Sequence, residues 1–233
     1  MQEYQDAMKL AHDSGYQIAS HTYSHKIPED KSEFKQNLSD NDDFIEMATG
    51  DRPRYFRAPK GECGEECQAS LEEWDYRLIQ WDTDTNDWDL ESSGSEEQRV
   101  KDSIEFLKSE FAEERSSYLI LMHDTESYTV SQIVPWIIES SGMKEKGYRF
   151  VTVAECLGDK ASMYRSGKTY DSTVIHSLNN GNDTMTNGNE TNSKEVAITD
   201  QQNQNMKTSD ALAIKFSFIY TFISLIMIMF YFL

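Results

Sequence analysis

The strongest constraint on what this chain can fold into is an alternation of short apolar runs and amphipathic stretches over its first 158 residues. Residues 3–14 place Tyr4, Ala7, Met8 and Ala11 near one face of a helix that stops at Gly15, and residues 16–20 read as a short strand leading into His21. Phe34, Leu38, Phe44, Ile45 and Ala48 give residues 33–49 helical spacing, although Asn41-Asp42-Asp43 weakens the middle. A strand stub at 55–57, a helix at 65–74 and a strand at 76–81 follow. The helix over 95–111 carries Val100, Ile104, Leu107 and Phe111 on one side. Residues 117–122 form a buried-strand run, 130–140 a helix and 148–153 a last strand. Strands alternating with helices of this length predict an α/β domain, a parallel sheet or barrel of βα units.

Charge is distributed as unevenly as hydrophobicity. The 233 residues carry a formal charge of −19, of which residues 161–233, with five basic and six acidic side chains, hold only −1. An acidic folded part argues against a nucleic-acid partner, which requires a basic face to meet phosphate. A mean hydropathy of −0.68 excludes a polytopic membrane protein. The opening Met1-Gln2-Glu3-Tyr4-Gln5-Asp6 is polar and has no signal-peptide pattern.

Beyond Gly158 the composition changes. Residues 160–210 are rich in Ser, Thr, Asn and Gly and too poor in large apolar residues to offset ordering entropy, so a disordered stalk is expected there. Asn182 and Asn189 begin glycosylation sequons in this stalk, and Asn37 begins a third in the folded part. Residues 211–233 form an apolar C-terminal tail whose last 18 residues carry no charge. Two readings stand: a C-terminal membrane helix, or a glycolipid-anchor signal of polar spacer and terminal apolar stretch. Both put the chain at a membrane, on the cell surface or in the cell wall.

Two histidines four apart, His21 and His25, follow a predicted strand end. On one helical turn both imidazoles would face the same side and could grip one divalent ion. Zincin proteases share this spacing but need Glu directly after the first His, where this chain has Thr22, so the protease reading fails. His123 stands at the end of the buried run Leu119-Ile120-Leu121-Met122, where barrel enzymes place catalysis. Arg57 and Asp84 occupy similar strand ends.

The order of these pieces carries the reading further. His-Thr-x-x-His, Arg-x-Pro-x-Gly, Asp-x-x-Asp-Trp and Leu-x-His resemble, in register, four of the five motifs of NodB-type polysaccharide deacetylases, carbohydrate esterase family four. The wording around His21–His25 and in Val153-Ala154-Glu155-Cys156-Leu157-Gly158-Asp159 is most like that of fungal chitin deacetylases. The resemblance implies a distorted (β/α) barrel over residues 1–159, incomplete in this chain, holding Zn²⁺, Co²⁺ or another divalent ion through His21 and His25. It implies that His123 is the general acid, Asp84 the carboxylate that orients it, and Arg57 the residue that fixes a catalytic aspartate. Leu121 and Trp88 would wall the acetyl methyl group, and backbone N–H groups near Lys60 would receive the oxyanion. Cys63 and Cys67 would form a disulfide, as the fungal enzymes have near this motif, whereas Cys156 is left without a mate.

Two departures temper that expectation. The family's Thr-Phe-Asp-Asp-Gly-Pro motif, source of the base and of a third metal ligand, is nowhere in the sequence, and Lys60 replaces an aromatic residue. One missing N-terminal segment would account for the absent motif, the absent signal peptide and the unpaired Cys156. The expected activity is therefore metal-dependent deacetylation of chitin or chitooligosaccharides, impaired in this chain. The alternative is an inactive pseudoenzyme or a glycan-binding surface protein of the cell wall.

Overall fold

The computed structural model describes residues 2–168 and the backbone of Met229–Phe232. Helix α1 (Gln2–Asp13) ends where Gly15 takes a left-handed φ of 83°, and it packs on α2 (Lys31–Thr49). The carboxylate of Asp30 caps α2 by accepting the N–H groups of Ser32 at 2.9 Å and Glu33 at 3.0 Å. The helix runs unbroken through Asn41-Asp42-Asp43 because its buried polar residues have partners. Asn41 donates to Ser20 Oγ at 2.9 Å, and Asp42 accepts the Tyr76 hydroxyl at 2.5 Å.

Strand β1 (Tyr55–Phe56) leads through a turn at Pro59–Gly61 into α3 (Glu65–Glu73), then β2 (Arg77–Leu78) and β3 (Thr83–Asp84). A short α4 (Leu90–Ser93) precedes α5 (Glu96–Phe111), which is capped by Ser95. Strand β4 (Ser117–Leu121) follows, then a π-helical turn at Thr129–Ile133 running into α6 (Val134–Glu139). The sequence predicts one helix over this last stretch. Pro135 lacks the N–H that the regular ladder needs, in keeping with the change of winding just before it. Strand β5 (Tyr148–Val151), α7 (Val153–Cys156) and β6 (Met229–Phe232) complete the described elements.

Strand pairing falls into two groups. Ser20 bridges Phe56 in parallel, and β1 pairs with β2 in parallel, Tyr55 opposite Arg77. A second sheet has the order β3-β4-β6-β5, with β3 and β4 parallel and β6 antiparallel to both its neighbours. No closed barrel forms among the described residues, so the barrel expectation reduces to a mixed α/β fold. The predicted strands over 16–20 and 76–81 shrink to a bridge and a two-residue pair.

Three apolar clusters hold the elements together. Ile18, Ile45, Tyr55 and Val151 pack between the first two helices and the strands. Leu107, Tyr118, Ile133 and Phe150 join α5 and α6 to β4 and β5. Phe34, Leu38, Phe56 and Leu71 seat α2 and α3 on β1. The folded part extends past residue 159, where a stalk is expected: Met163 and Tyr164 are buried, and Tyr164 Oη accepts the Ile18 N–H at 2.9 Å. The rest of the expected stalk, with Asn182 and Asn189, and residues 211–228 of the tail lie outside the described residues. At the end of that tail, Met229–Phe232 pairs as a strand with β4 and β5.

Candidate active site

Parallel pairing sets the site. The Ser20 N–H donates to the Tyr55 carbonyl at 2.8 Å and the Arg57 N–H to the Ser20 carbonyl at 3.0 Å, so His21 and Arg57 emerge side by side past adjacent strand ends. In the β3–β4 pair Asp84 lies opposite Leu121, which delivers residues 85–88 and His123 to the neighbouring strand ends.

His21 and His25 lie on a bent loop, not on the helical turn that their spacing suggests. Thr22 at φ 67° and His25 at φ 54° take left-handed conformations that are costly for such side chains. Asn37 of α2 holds the loop in place. Its Oδ1 accepts the N–H groups of Tyr23 at 2.7 Å and Ser24 at 3.3 Å, and its Nδ2 donates to Ser24 Oγ at 2.7 Å. The amide expected to carry a glycan is thus engaged within the fold. The two rings still meet edge to face, their centroids 5.0 Å apart. Nδ1 of His21 donates to the Arg57 carbonyl at 2.7 Å, which leaves Nε2 as an acceptor facing Arg57 Nη2 at 3.2 Å. Burial, then the Arg57 charge, pulls the His21 pKa down to about 3. Desolvation and the charges of Arg57 and Lys60 lower that of His25 in the same way.

The Arg57 guanidinium lies over the Trp81 ring, 5.5 Å from its centroid. Trp81 can lie this close to the Pro59–Gly61 turn because Gly61 has no Cβ, which would stand 2.9 Å from the indole, and because its φ of 74° suits glycine. Gln80 ties the turn down by donating to the Gly61 carbonyl at 2.8 Å. Within the turn, the Gly61 and Glu62 N–H groups close onto Ala58 and Pro59, so the Lys60 N–H is the donor left for a ligand. A disulfide joins Cys63 to Cys67, with Cα atoms 5.3 Å apart, in the wall of a groove of about 1180 Å³ that starts at His25 and Lys60. Cys156 is a free, half-buried thiol.

The carboxylate in contact with His123 is Asp87, not the expected Asp84. Asp87 is fully buried and accepts His123 Nδ1 at 2.8 Å, the His123 backbone N–H at 2.6 Å and Thr129 Oγ1 at 2.8 Å. Burial pushes its pKa up, but the hydrogen bonds from His123 and Thr129 outweigh that and hold it below the usual carboxylate range. Nε2 of His123 is left for a substrate. Asp84 instead accepts the Asn86 N–H at 2.9 Å and acts on Arg57 at longer range. Both carboxylates stand in the Asp-x-x-Asp-Trp motif, and spacing alone does not say which one turns inward. Leu121 is buried beneath His123, and Trp88 is 55 % exposed at the rim.

Residues 1–79 match the model of the polysaccharide deacetylase family. The chain carries a polysaccharide deacetylase domain. It is 31% identical over 160 residues to a chitin deacetylase of Colletotrichum lindemuthianum, covering 66% of this chain and 61% of that protein. It is 30% identical over 172 residues to a chitin deacetylase of Arthroderma benhamiae, covering 70% of this chain and 43% of the relative. The chain therefore spans between two fifths and three fifths of these relatives. The solved Colletotrichum lindemuthianum chitin deacetylase superposes with a TM-score of 0.63 at 28% identity, over 71% of this chain and 73% of that one.

Members of the deacetylase family are generally metal-dependent. A neutral His21 with its Nδ1 tied to a carbonyl has the chemistry of a metal ligand. Here, however, its Nε2 faces a guanidinium, and no third His, Cys, Asp or Glu joins the pair among the described residues. His21 and His25 as they stand do not complete a divalent-metal site.

Proposed function

We propose that this chain acts on chitin or chitooligosaccharides, hydrolysing the acetamide of N-acetylglucosamine units. The observation that carries the reading is the His123–Asp87 pair at a strand end, across the site from His21, His25 and Arg57. Asp87 holds Nδ1–H and orients the ring, and in the imidazolium form the second proton, on Nε2, passes to the departing amine and leaves the neutral imidazole. The Lys60 N–H is placed to receive the carbonyl oxygen as it gains charge, and Leu121 and Trp88 offer apolar surface to the acetyl and sugar. Among the described residues no carboxylate contacts Arg57 to serve as a base, so turnover is expected to be low. Binding of Zn²⁺ or Co²⁺ needs a donor beyond His21 and His25. The groove of about 1180 Å³ between His25 and the Cys63–Cys67 loop is the place proposed for further sugar units.

Incubation with chitooligosaccharides and mass spectrometry of the products tests this reading. The expected result is slow, stepwise loss of acetyl groups. Oligosaccharide binding with no acetyl loss would support the pseudoenzyme alternative, and neither binding nor loss would remove both. We also propose a cell-surface location, supported by the sequons at Asn182 and Asn189.

A further inference from the structure

Arg57 and His123 follow strand ends, but a pocket of about 170 Å³, separate from the groove, lies at strand starts. Arg52 comes just ahead of β1 and Tyr76 just ahead of β2, while Lys35 and Ser39 share one face of α2. Trp74 and Arg165 also line it. Three cations thus face the pocket and no carboxylate does, in a chain with 41 acidic against 22 basic residues. The Arg165 guanidinium lies over the Tyr76 ring, 4.5 Å from its centroid, and the Lys35 ammonium over Trp74 at 5.5 Å. Such contacts fix a cation without cancelling its charge. Lys35 pairs with no carboxylate of the described residues; Glu73, which it reaches only through space, is bonded to Lys31. Arg52 Nη1 meets Asp43 and Glu46, and Arg165 Nη1 is 3.6 Å from Asp75, but these carboxylates are exposed and compensate little. Arg52 Nη2 has only long contacts with Ser39, at 3.4 and 3.5 Å. Behind the pocket Asp42 accepts the Tyr76 hydroxyl and lies 3.8 Å from Arg52 Nε, so it offsets one of the three charges.

We propose that this pocket binds an oxyanion of the phosphate or sulfate class, with Lys35, Arg52 and Arg165 as charged donors and the Ser39 hydroxyl beside them. A tetrahedral oxyanion presents acceptors in several directions, which suits cations arriving from three separate segments of the chain. Free phosphate and a phosphate monoester share this chemistry. Trp74, under Lys35, reports the event.

Titration of the full 233-residue chain with sodium phosphate, sodium sulfate and glycerol phosphate, against sodium chloride at matched ionic strength and pH, tests the proposal. The expected result is a saturable tryptophan fluorescence change and a rise in thermal midpoint with the oxyanions but not chloride, the fluorescence change being lost in Trp74→Phe. Lys35→Gln and Arg165→Gln should each weaken phosphate binding by about fivefold or more. Lys160→Gln removes the same charge beside Glu155, outside the pocket, and should leave binding within about twofold. Tighter binding of glycerol phosphate than of inorganic phosphate assigns the site to an esterified phosphate, and the reverse assigns it to the free ion. Identical responses to phosphate, sulfate and chloride in the parent chain would overturn the proposal. Equal weakening by Lys35→Gln and Lys160→Gln would do the same, by revealing an effect of net charge alone, even if Arg165→Gln fails to fold.

Discussion

Asp87 spends its carboxylate on His123 twice and on Thr129 once, deep in the fold. Removing such an acceptor leaves buried donors unpaired, so Asp87→Ala should cost about 2–4 kcal/mol of stability, with Asp87→Asn costing less. Urea midpoints measure this, and a change under about 0.5 kcal/mol for Asp87→Ala would mean the network is not formed in solution. Asp42 makes a different prediction. Burial raises its pKa from 3.8 to about 6, against the pull of Tyr76, Ser20, Arg52 and Arg165. A folded-state pKa above the unfolded one means that its contribution is fully present below pH 3.8 and lost as pH rises through about 6. Asp42→Asn should therefore gain stability relative to the parent chain between pH 4 and 7, as read by denaturation at each pH; a constant difference would contradict the sign. At this scale motif order is enough to expect that His21, His25, Arg57 and His123 gather in one place, as they do. The choice of Asp87 against Asp84 was not legible, because strand-to-loop geometry, and not spacing, turns one inward.

A single asparagine on α2 sets the shape of the histidine loop. Asn37 makes three hydrogen bonds to Tyr23 and Ser24, holding a segment that carries two left-handed residues. Asn37→Ala should release that strain into disorder, costing about 1–3 kcal/mol and accelerating amide exchange across residues 21–25. Unchanged exchange there would show that the loop holds itself. The same bonds predict that Asn37 carries no glycan even when residues 182 and 189 do, which glycopeptide mapping would check. The predicted helices were mostly legible from apolar spacing, with ends fixed by caps such as Asp30 and Ser95. Asn41 and Asp42 look like helix breakers in sequence but pair with Ser20 and Tyr76, which lie far from them along the chain. Strand lengths were overestimated because apolar runs mark burial, whereas the ladder depends on a neighbour being in register.

On the scale of the whole molecule, the sheet and the C-terminus are linked. Strand β6 lies between β4 and β5 and covers edges that would otherwise expose N–H and C=O groups. A chain ending at residue 228 should lose amide protection over Ser117–Leu121 and Tyr148–Val151, and protection unchanged on truncation would count against this pairing. Periodicity could not have indicated this strand, since an uncharged apolar run suits a membrane and a sheet equally well. The site draws on both strand groups: His21 and Arg57 come from one and His123 from the other, so its assembly depends on the fold as a whole. The most direct test of that assembly is acetate release from chitooligosaccharides by the parent chain and by His123→Ala, both checked for folding. The account predicts slow release by the parent and at least about a hundredfold less by the variant. Equal release by the two chains would contradict it.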